Sequence, residues 1–378
     1  MSGRSSWRPG VVVCGTKFGR VYLSAFRRAG FPFELKGILA RGSERSRACA
    51  AAYRVPLFTD PSALPIDVDI ACVVVGASLN GGRGAELAQA LMARGIHVLQ
   101  EHPLHEVELG ECLRRARQAK VVYRLNTHYV HVPPVRRFIE TCHELFRRQR
   151  PVFVDAACGF QTAYTLLDIL GAALQRLGPW ALSGPLDVPV EVRSLGNTPA
   201  PFRCLAGVIG GVPLTLRVQH ELDPGDPDNY IHLSHRIAIG TEGGVITLVG
   251  GHGPMLWSPR AHLPGDARDT AAIDDSTAWH FSLPSSSPLG EPAGPSFREI
   301  LTSLWPDAVA HALIETRDAI LGRENSFDRG QYYLTLCRIW QDMTARLGPP
   351  LLARRSPPQI LSAHDLMPAV APALVPSA

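Results

Sequence analysis

Four short segments of the chain combine residue types and spacings that can do chemistry. In Gly15-Thr16-Lys17-Phe18-Gly19, two glycines bracket a turn whose backbone N–H groups can receive a phosphate. Arg41-Gly42-Ser43-Glu44-Arg45-Ser46-Arg47 offers guanidinium and hydroxyl donors, which hold a phosphate monoester through charge-assisted hydrogen bonds. Glu101-His102-Pro103-Leu104-His105 and Asn126-Thr127-His128-Tyr129-Val130-His131 present imidazoles and a phenol, groups that give and take protons. The same histidines form two H-x-x-H pairs, His102/His105 and His128/His131, which raises a zinc site as a rival reading. With 14 histidines in the chain such pairs arise by chance, and no Cys or Asp completes a set, so no metal is expected.

These segments share one feature of position: each follows a β-type run. Val11–Cys14, Phe33–Leu39, Val68–Val75, His97–Gln100 and Val121–Leu125 read as strands. Between them Phe18–Ala29, Ser43–Tyr53, Gly84–Arg94 and Val107–Lys120 have helical spacing. Strands alternating with helices imply βαβ units and a parallel sheet, and such sheets bind ligands beyond the carboxyl ends of their strands. That rule selects Gly15–Arg20, Ala40–Arg47, 76–82, Glu101–His105 and Asn126–His131. Within them the candidate cofactor-binding residues are Gly15, Thr16, Lys17, Phe18, Gly19, Arg41, Ser43, Arg45, Ser46, Ser78, Glu101 and Asn126.

The match to G-x-G-x-x-G is imperfect, because Lys17 stands where a second glycine would bring the backbone closest to a pyrophosphate. The tip after the second strand discriminates between nicotinamide cofactors. NAD sites usually carry an acid there for the ribose 2′-hydroxyl. This tip has none: Glu44 falls in the helix start, while Ser43 and Arg45, with Arg41 or Arg47, can meet a 2′-phosphate. The expected cofactor is NADPH.

Beyond Asn126 the texture changes. Pro133–Gln149 reads as one helix, with Pro134 near its first turn. Pro151–Phe160, Val188–Leu195, Cys204–Ile209, Pro213–Glu221, His232–Gly240 and Gly244–Gly250 read as strands, several alternating as in an antiparallel sheet with one wet face. Ala261–Ser296 reads as loop, Phe297–Leu321 and Phe327–Leu347 as helices, and the proline-rich stretch from Pro349 as poorly ordered. The fold class is therefore α/β: an N-terminal doubly wound parallel sheet over residues 1–126, an α+β domain with a large, mostly antiparallel open sheet over 127–348, and a tail over 349–378.

Bulk properties exclude other classes. A chain of 378 residues with 46% apolar and 19% charged residues can build a large core. The net charge of +4 and the lack of a basic block give no reason to invoke nucleic acid. No apolar run approaches the roughly 18 residues that cross a bilayer, and the apolar stretch Val11–Cys14 is too short for a signal-peptide core, so a cytoplasmic location is the default. Eight cysteines without a C-x-x-C pair read as reduced, mostly buried thiols.

The turn at Gly15, Glu101-His102-Pro103 and the Asn126 segment resemble the glucose–fructose oxidoreductase/inositol dehydrogenase (Gfo/Idh/MocA) family, which carries Glu-Lys-Pro after its fifth strand. His102 stands in place of that lysine. The sugar dehydrogenases of the family use an Asp and a His in the second domain, and here Gln161–Asp168 retains Asp168 but has Thr165 where the His is sought. Gly15–Gly19, Arg41–Ser46, Glu101–His105, Asn126–His131, Gly81-Gly82 and Asp223–Asp228 more closely resemble the thiazolinyl imine reductases of siderophore pathways of the yersiniabactin and pyochelin type. That resemblance implies NADPH-dependent reduction of a thiazoline C=N to a thiazolidine. It implies a substrate carried as a thioester on a nonribosomal peptide synthetase carrier domain, and a homodimer formed through the second sheet. Such a reaction needs a proton at nitrogen, and His102 and Tyr129 are level candidates to donate it; His105 reads as the start of the next helix. A sugar or polyol dehydrogenase of the same fold and a non-catalytic NADP-binding protein are the alternatives.

Overall fold

The computed structural model describes residues 7–75, 83–226, 229–260 and 279–366. Ser78, Gly81, Gly82 and part of the Asp223–Asp228 motif lie outside the described residues.

The first half is a six-stranded parallel sheet. Its strands are β1 (Gly10–Cys14), β2 (Glu34–Leu39), β3 (Leu57–Phe58), β4 (Ile70–Val73), β5 (His97–Glu101) and β6 (Tyr123–Asn126), ordered β3-β2-β1-β4-β5-β6. Val11, Val12, Val13 and Cys14 are fully buried, as are all four residues of β4, because helices cover both faces. Those helices are α1 (Gly19–Ala25), α2 (Glu44–Tyr53), α3 (Arg83–Ala93) and α4 (Glu106–Ala119). The strand order reverses between β1 and β4, which opens a crevice at their carboxyl ends.

The second half begins with α5 (Pro133–Phe146). It builds an eight-stranded sheet from β7 (Phe153–Gly159), β8 (Ala181–Pro185), β9 (Phe202–Ile209), β10 (Val212–Gln219), β12 (His235–Thr241), β13 (Gly244–Leu248), β14 (Met255–Pro259) and β15 (Ser287–Pro288). Every pairing is antiparallel except β7 with β10. α6 (Ala163–Ala173) is buried along almost its whole length and belongs to the same core as Val154, Leu216 and Ile237. Two later helices are α8 (Trp305–Ile320) and α9 (Ser326–Leu347). α8 returns to the first half, where Val309 and Leu313 share a core with Val11, Val13, Tyr22 and Leu99.

Three expectations need correction. Val188–Leu195 is not a strand: Val190–Ser194 forms one short helix, α7, with Val190 and Val192 exposed, so their alternation marked no buried face. β3, β8, β14 and β15 escaped the sequence reading, β8 because Ser183-Gly184-Pro185 lacks strand-forming side chains and β15 because it is two residues long within the stretch read as loop. The start of the tail is tied down: β16 (Leu351–Leu352) pairs in parallel with β11 (Glu221–Leu222), and the Arg355 backbone N–H donates to Asp223 at 2.8 Å. Among the described residues no helix is long and apolar enough to cross a membrane.

Candidate active site

The turn after β1 depends on Gly15. Its φ is +99°, its N–H donates to the Leu39 carbonyl at 2.9 Å, and a Cβ there would lie 2.3 Å from the Val74 carbonyl oxygen. Glycine alone fits. Gly19 is not required in this way, since a Cβ there would meet Val13 at an ordinary 3.5 Å. Thr16 is buried and Lys17 exposed. The ring of Phe18 joins an aromatic cluster, 5.4 Å from His128 and 5.8 Å from Trp305 at the start of α8.

At the β2 tip, Ser43 caps α2 by accepting from the Ser46 N–H at 3.3 Å. Ser46 is fully buried, and its hydroxyl donates to the Ser43 carbonyl at 2.7 Å. Arg47 donates to the Gly42 carbonyl. Arg41 and Arg45 are exposed and have no ion-pair partner among the described residues, leaving both guanidinium groups available at the tip.

The ends of β5 and β6 form a buried polar network. Register places Glu101 beside Asn126. Glu101 accepts from the Tyr22 hydroxyl, which in turn accepts from the Asn126 amide, and that amide also reaches Glu101 at 3.3 Å. Burial and the Glu101 charge push the Tyr22 phenol well up, so it stays protonated as the donor. His102 Nδ1 lies 3.1 Å from Glu101 Oε1 and 3.2 Å from the Asn126 carbonyl, both acceptors, so Nδ1 carries a proton. Nε2 is left as the nitrogen that can exchange a proton with a ligand. The ring stacks on Tyr164 with centroids 5.4 Å apart. Tyr164 is buried, and its hydroxyl has no hydrogen-bond partner among the described residues.

Tyr129 opens a one-turn 3-10 helix, Tyr129–His131. Its ring lies 4.4 Å from His235, 5.7 Å from His252 and 5.8 Å from His128. His128 holds the unusual backbone angles φ +61°, ψ −58°, fixed by its N–H donating to Asn126 Oδ1 at 3.0 Å. Burial drives its imidazole down to about 3, and the nearby His102 adds to that shift. His235 is likewise pushed to about 3, and His252 to about 4, by burial. Trp305 Nε1 donates to His252 Nε2 at 2.9 Å, which suits a neutral ring.

Thr165 donates to the Thr162 carbonyl at 2.8 Å and lies 2.6 Å from His235 Nε2, so the proton between them belongs to His235. An imidazole from β12 thus stands against the threonine where the sugar dehydrogenases' histidine was sought on α6. Asp168 accepts from Thr127 and, at 2.6 Å, from Tyr332, and burial raises its carboxyl. His235, His252, Tyr164 and Trp305 were not read from sequence as site residues. His235 falls within the strand read over His232–Gly240, and only the topology brings it to Thr165. His105 caps α4 as expected. Among the described residues no metal-ligand group forms around His102, His105 or His128.

Residues 10–127 match the oxidoreductase family with the NAD-binding Rossmann fold, and residues 149–258 match the C-terminal domain of Irp3-like thiazolinyl imine reductases. The chain is an Irp3-like member of the Gfo/Idh/MocA oxidoreductase family. No curated protein sequence matches this Irp3-like oxidoreductase. Solved structures share its architecture. UDP-N-acetylglucosamine 3-dehydrogenase from Acidithiobacillus ferrooxidans is 15% identical, with TM-score 0.59 over 90% of this chain and 100% of that one. GenD2 from gentamicin A biosynthesis, in complex with NAD, is 13% identical, with TM-score 0.59 over 88% and 92%. A mutant of the 3-ketoreductase KijD10 from Actinomadura kijaniata, in complex with TDP-benzene and NADP, is 15% identical, with TM-score 0.60 over 92% and 99%. At these identities the likeness speaks for the fold.

Proposed function

We propose that this Irp3-like oxidoreductase uses NADPH to reduce a thiazoline C=N to a thiazolidine, on a siderophore intermediate carried by a nonribosomal peptide synthetase. The observation that carries this reading is the match of residues 149–258, the half that walls the candidate site with Tyr164, Thr165 and His235, to the thiazolinyl imine reductase C-terminal domain. The cofactor fits the residues present. Gly15 makes the tight turn after β1 that such a site needs, and Arg41 and Arg45 have no ion-pair partner among the described residues, at a tip that lacks an acid.

NADPH, when bound, supplies the hydride. The protein's part is to hold the ring and deliver a proton to the imine nitrogen, without which a neutral five-membered imine is a weak electrophile. His102 can donate from Nε2 while Glu101 and the Asn126 carbonyl hold Nδ1. Tyr129 is the second candidate, presented at the next strand end. The neutral imidazoles of His128, His235 and His252, with Phe18 and Trp305, make a largely aromatic surround suited to a flat, unsaturated heterocyclic substrate. The proposal includes transient docking to a carrier domain in the cytoplasm and a homodimer through the large sheet.

The solved relatives favour a second reading, sugar or polyol oxidation, and Asp168 is retained. Its carboxyl, however, is engaged by Thr127 and Tyr332. One experiment separates the readings: the purified protein is incubated with NADPH and a synthetic thiazoline thioester, then with NAD⁺ or NADP⁺ and a panel of polyols. Thiazoline-dependent NADPH oxidation, with a product heavier by two hydrogens, supports imine reduction. Turnover of polyols alone overturns it, and cofactor binding without turnover of either supports a non-catalytic role.

A further inference from the structure

On the far side of the Tyr129–His131 turn lies a cavity of about 530 Å³, lined by residues of β6, α5, α6, α8 and α9. His131, the last residue of the turn, points its Nδ1 to within 3.1 Å of His311 Nδ1 on α8. One helical turn further on, Glu315 Oε1 lies 3.6 Å from the same His311 nitrogen. The three ligand atoms all fall within 4.8 Å of one another. An ion bound tetrahedrally at about 2.0–2.1 Å sets its ligand atoms roughly 3.3 Å apart, which matches both measured separations. His311 and Glu315 have the i,i+4 spacing that puts two ligands on one helix face.

We propose that His131, His311 and Glu315 form a binding site for a divalent cation of the zinc class, with water from the cavity as its fourth ligand.

Three further features agree. Arg124 is buried and donates to Glu315 Oε2, which fixes the carboxylate and leaves Oε1 for the ion. Burial holds both imidazoles below their ordinary value, so each has a lone pair near neutral pH. The positive lining of Arg124, Arg136 and Arg329 is balanced by Glu140, Asp168 and Glu315, and all three arginines are also paired with acids. Two neutral imidazoles can instead share one hydrogen bond, which is the alternative to be excluded. The site stands apart from the hydride-transfer reading and does not depend on it. Its effect would be to clamp the turn that carries Tyr129 to the helix that begins at Trp305, so the ion would be a structural one.

The test is titration of the chelator-treated, full-length protein with Co²⁺, whose tetrahedral complexes absorb strongly in the visible. One equivalent of Co²⁺ should give such bands, Zn²⁺ should displace it, and Zn²⁺ should raise the melting temperature. His311→Ala and Glu315→Gln, both at part-exposed positions, should fold as judged by circular dichroism yet lose the bands and the metal-dependent stabilisation. Absence of saturable binding to the wild type overturns the proposal. So does retention of the bands and stabilisation in both variants, which would place the ion among the other histidines.

Discussion

Glu101 Oε1 lies 3.1 Å from His102 Nδ1, with the Asn126 carbonyl 3.2 Å from the same nitrogen. The carboxylate therefore sets which ring nitrogen can face a ligand. Glu101→Gln should lower kcat by about tenfold or more while NADPH still binds, and should change the pH profile of kcat/KM. A variant that merely loosens the fold would instead weaken cofactor binding and leave the profile in place.

The proton donor is tested by substitution at both candidates. His102→Ala or Tyr129→Phe should reduce turnover by ~10²-fold or more with NADPH affinity retained. Each residue can partly cover for the other, so the double variant decides. Single losses below about threefold, with the double no worse, would show that neither residue is the acid and that solvent delivers the proton.

Cofactor choice rests on the β2 tip. Arg45→Ala removes one charged donor and should weaken NADPH by ~10–150-fold, far more than NADH, measured by fluorescence titration. Equal weakening of both would remove the 2′-phosphate from this tip.

Acid should destabilise the protein in a defined window. Burial holds His128 and His235 at about 3 and His252 at about 4 in the folded chain, whereas unfolded histidines titrate near 6.5. The unfolded state then binds the extra protons. Stability is full above about pH 6.5, falls as the pH drops below it, and stops falling only beneath the folded values. Each histidine contributes up to about 1.4 kcal/mol per pH unit inside the window. The melting temperature should fall steadily from about pH 6.5 to about pH 4, and a flat profile there would contradict the neutral burial of these rings.

Gly15→Ala introduces a Cβ 2.3 Å from the Val74 carbonyl at a φ of +99°. It should abolish cofactor binding and lower stability, detected by calorimetry. Gly19→Ala, with only ordinary contacts, should bind the cofactor nearly as well as the wild type.

The parallel sheet was legible because strands buried on both faces are written as unbroken apolar runs such as Val11–Cys14, and the strand-end rule then located Gly15, Glu101 and Asn126. The second half was harder. Of its candidate site residues, His235 comes from a sheet whose order no local pattern encodes and His252 from the turn between β13 and β14, and Trp305 reaches the site only because α8 crosses back to the first half. Val188–Leu195 misled because strand propensity and alternation say nothing about whether a face is covered. What sequence could not supply was the pairing of Thr165 with His235, a contact between positions distant in the chain.

That same return of α8 has a bearing on how the protein is made. A ribosome releases β1 and α1 well before the segment 305–320, which lies about 280 residues further along the chain. Until then, Val11, Val13 and Tyr22 lack the cover that Val309 and Leu313 provide. The nascent cofactor half must wait, shielded or loosely collapsed, for a helix that follows it only after the whole second sheet has been made. A gene fragment that stops after β6 would leave that apolar face permanently bare.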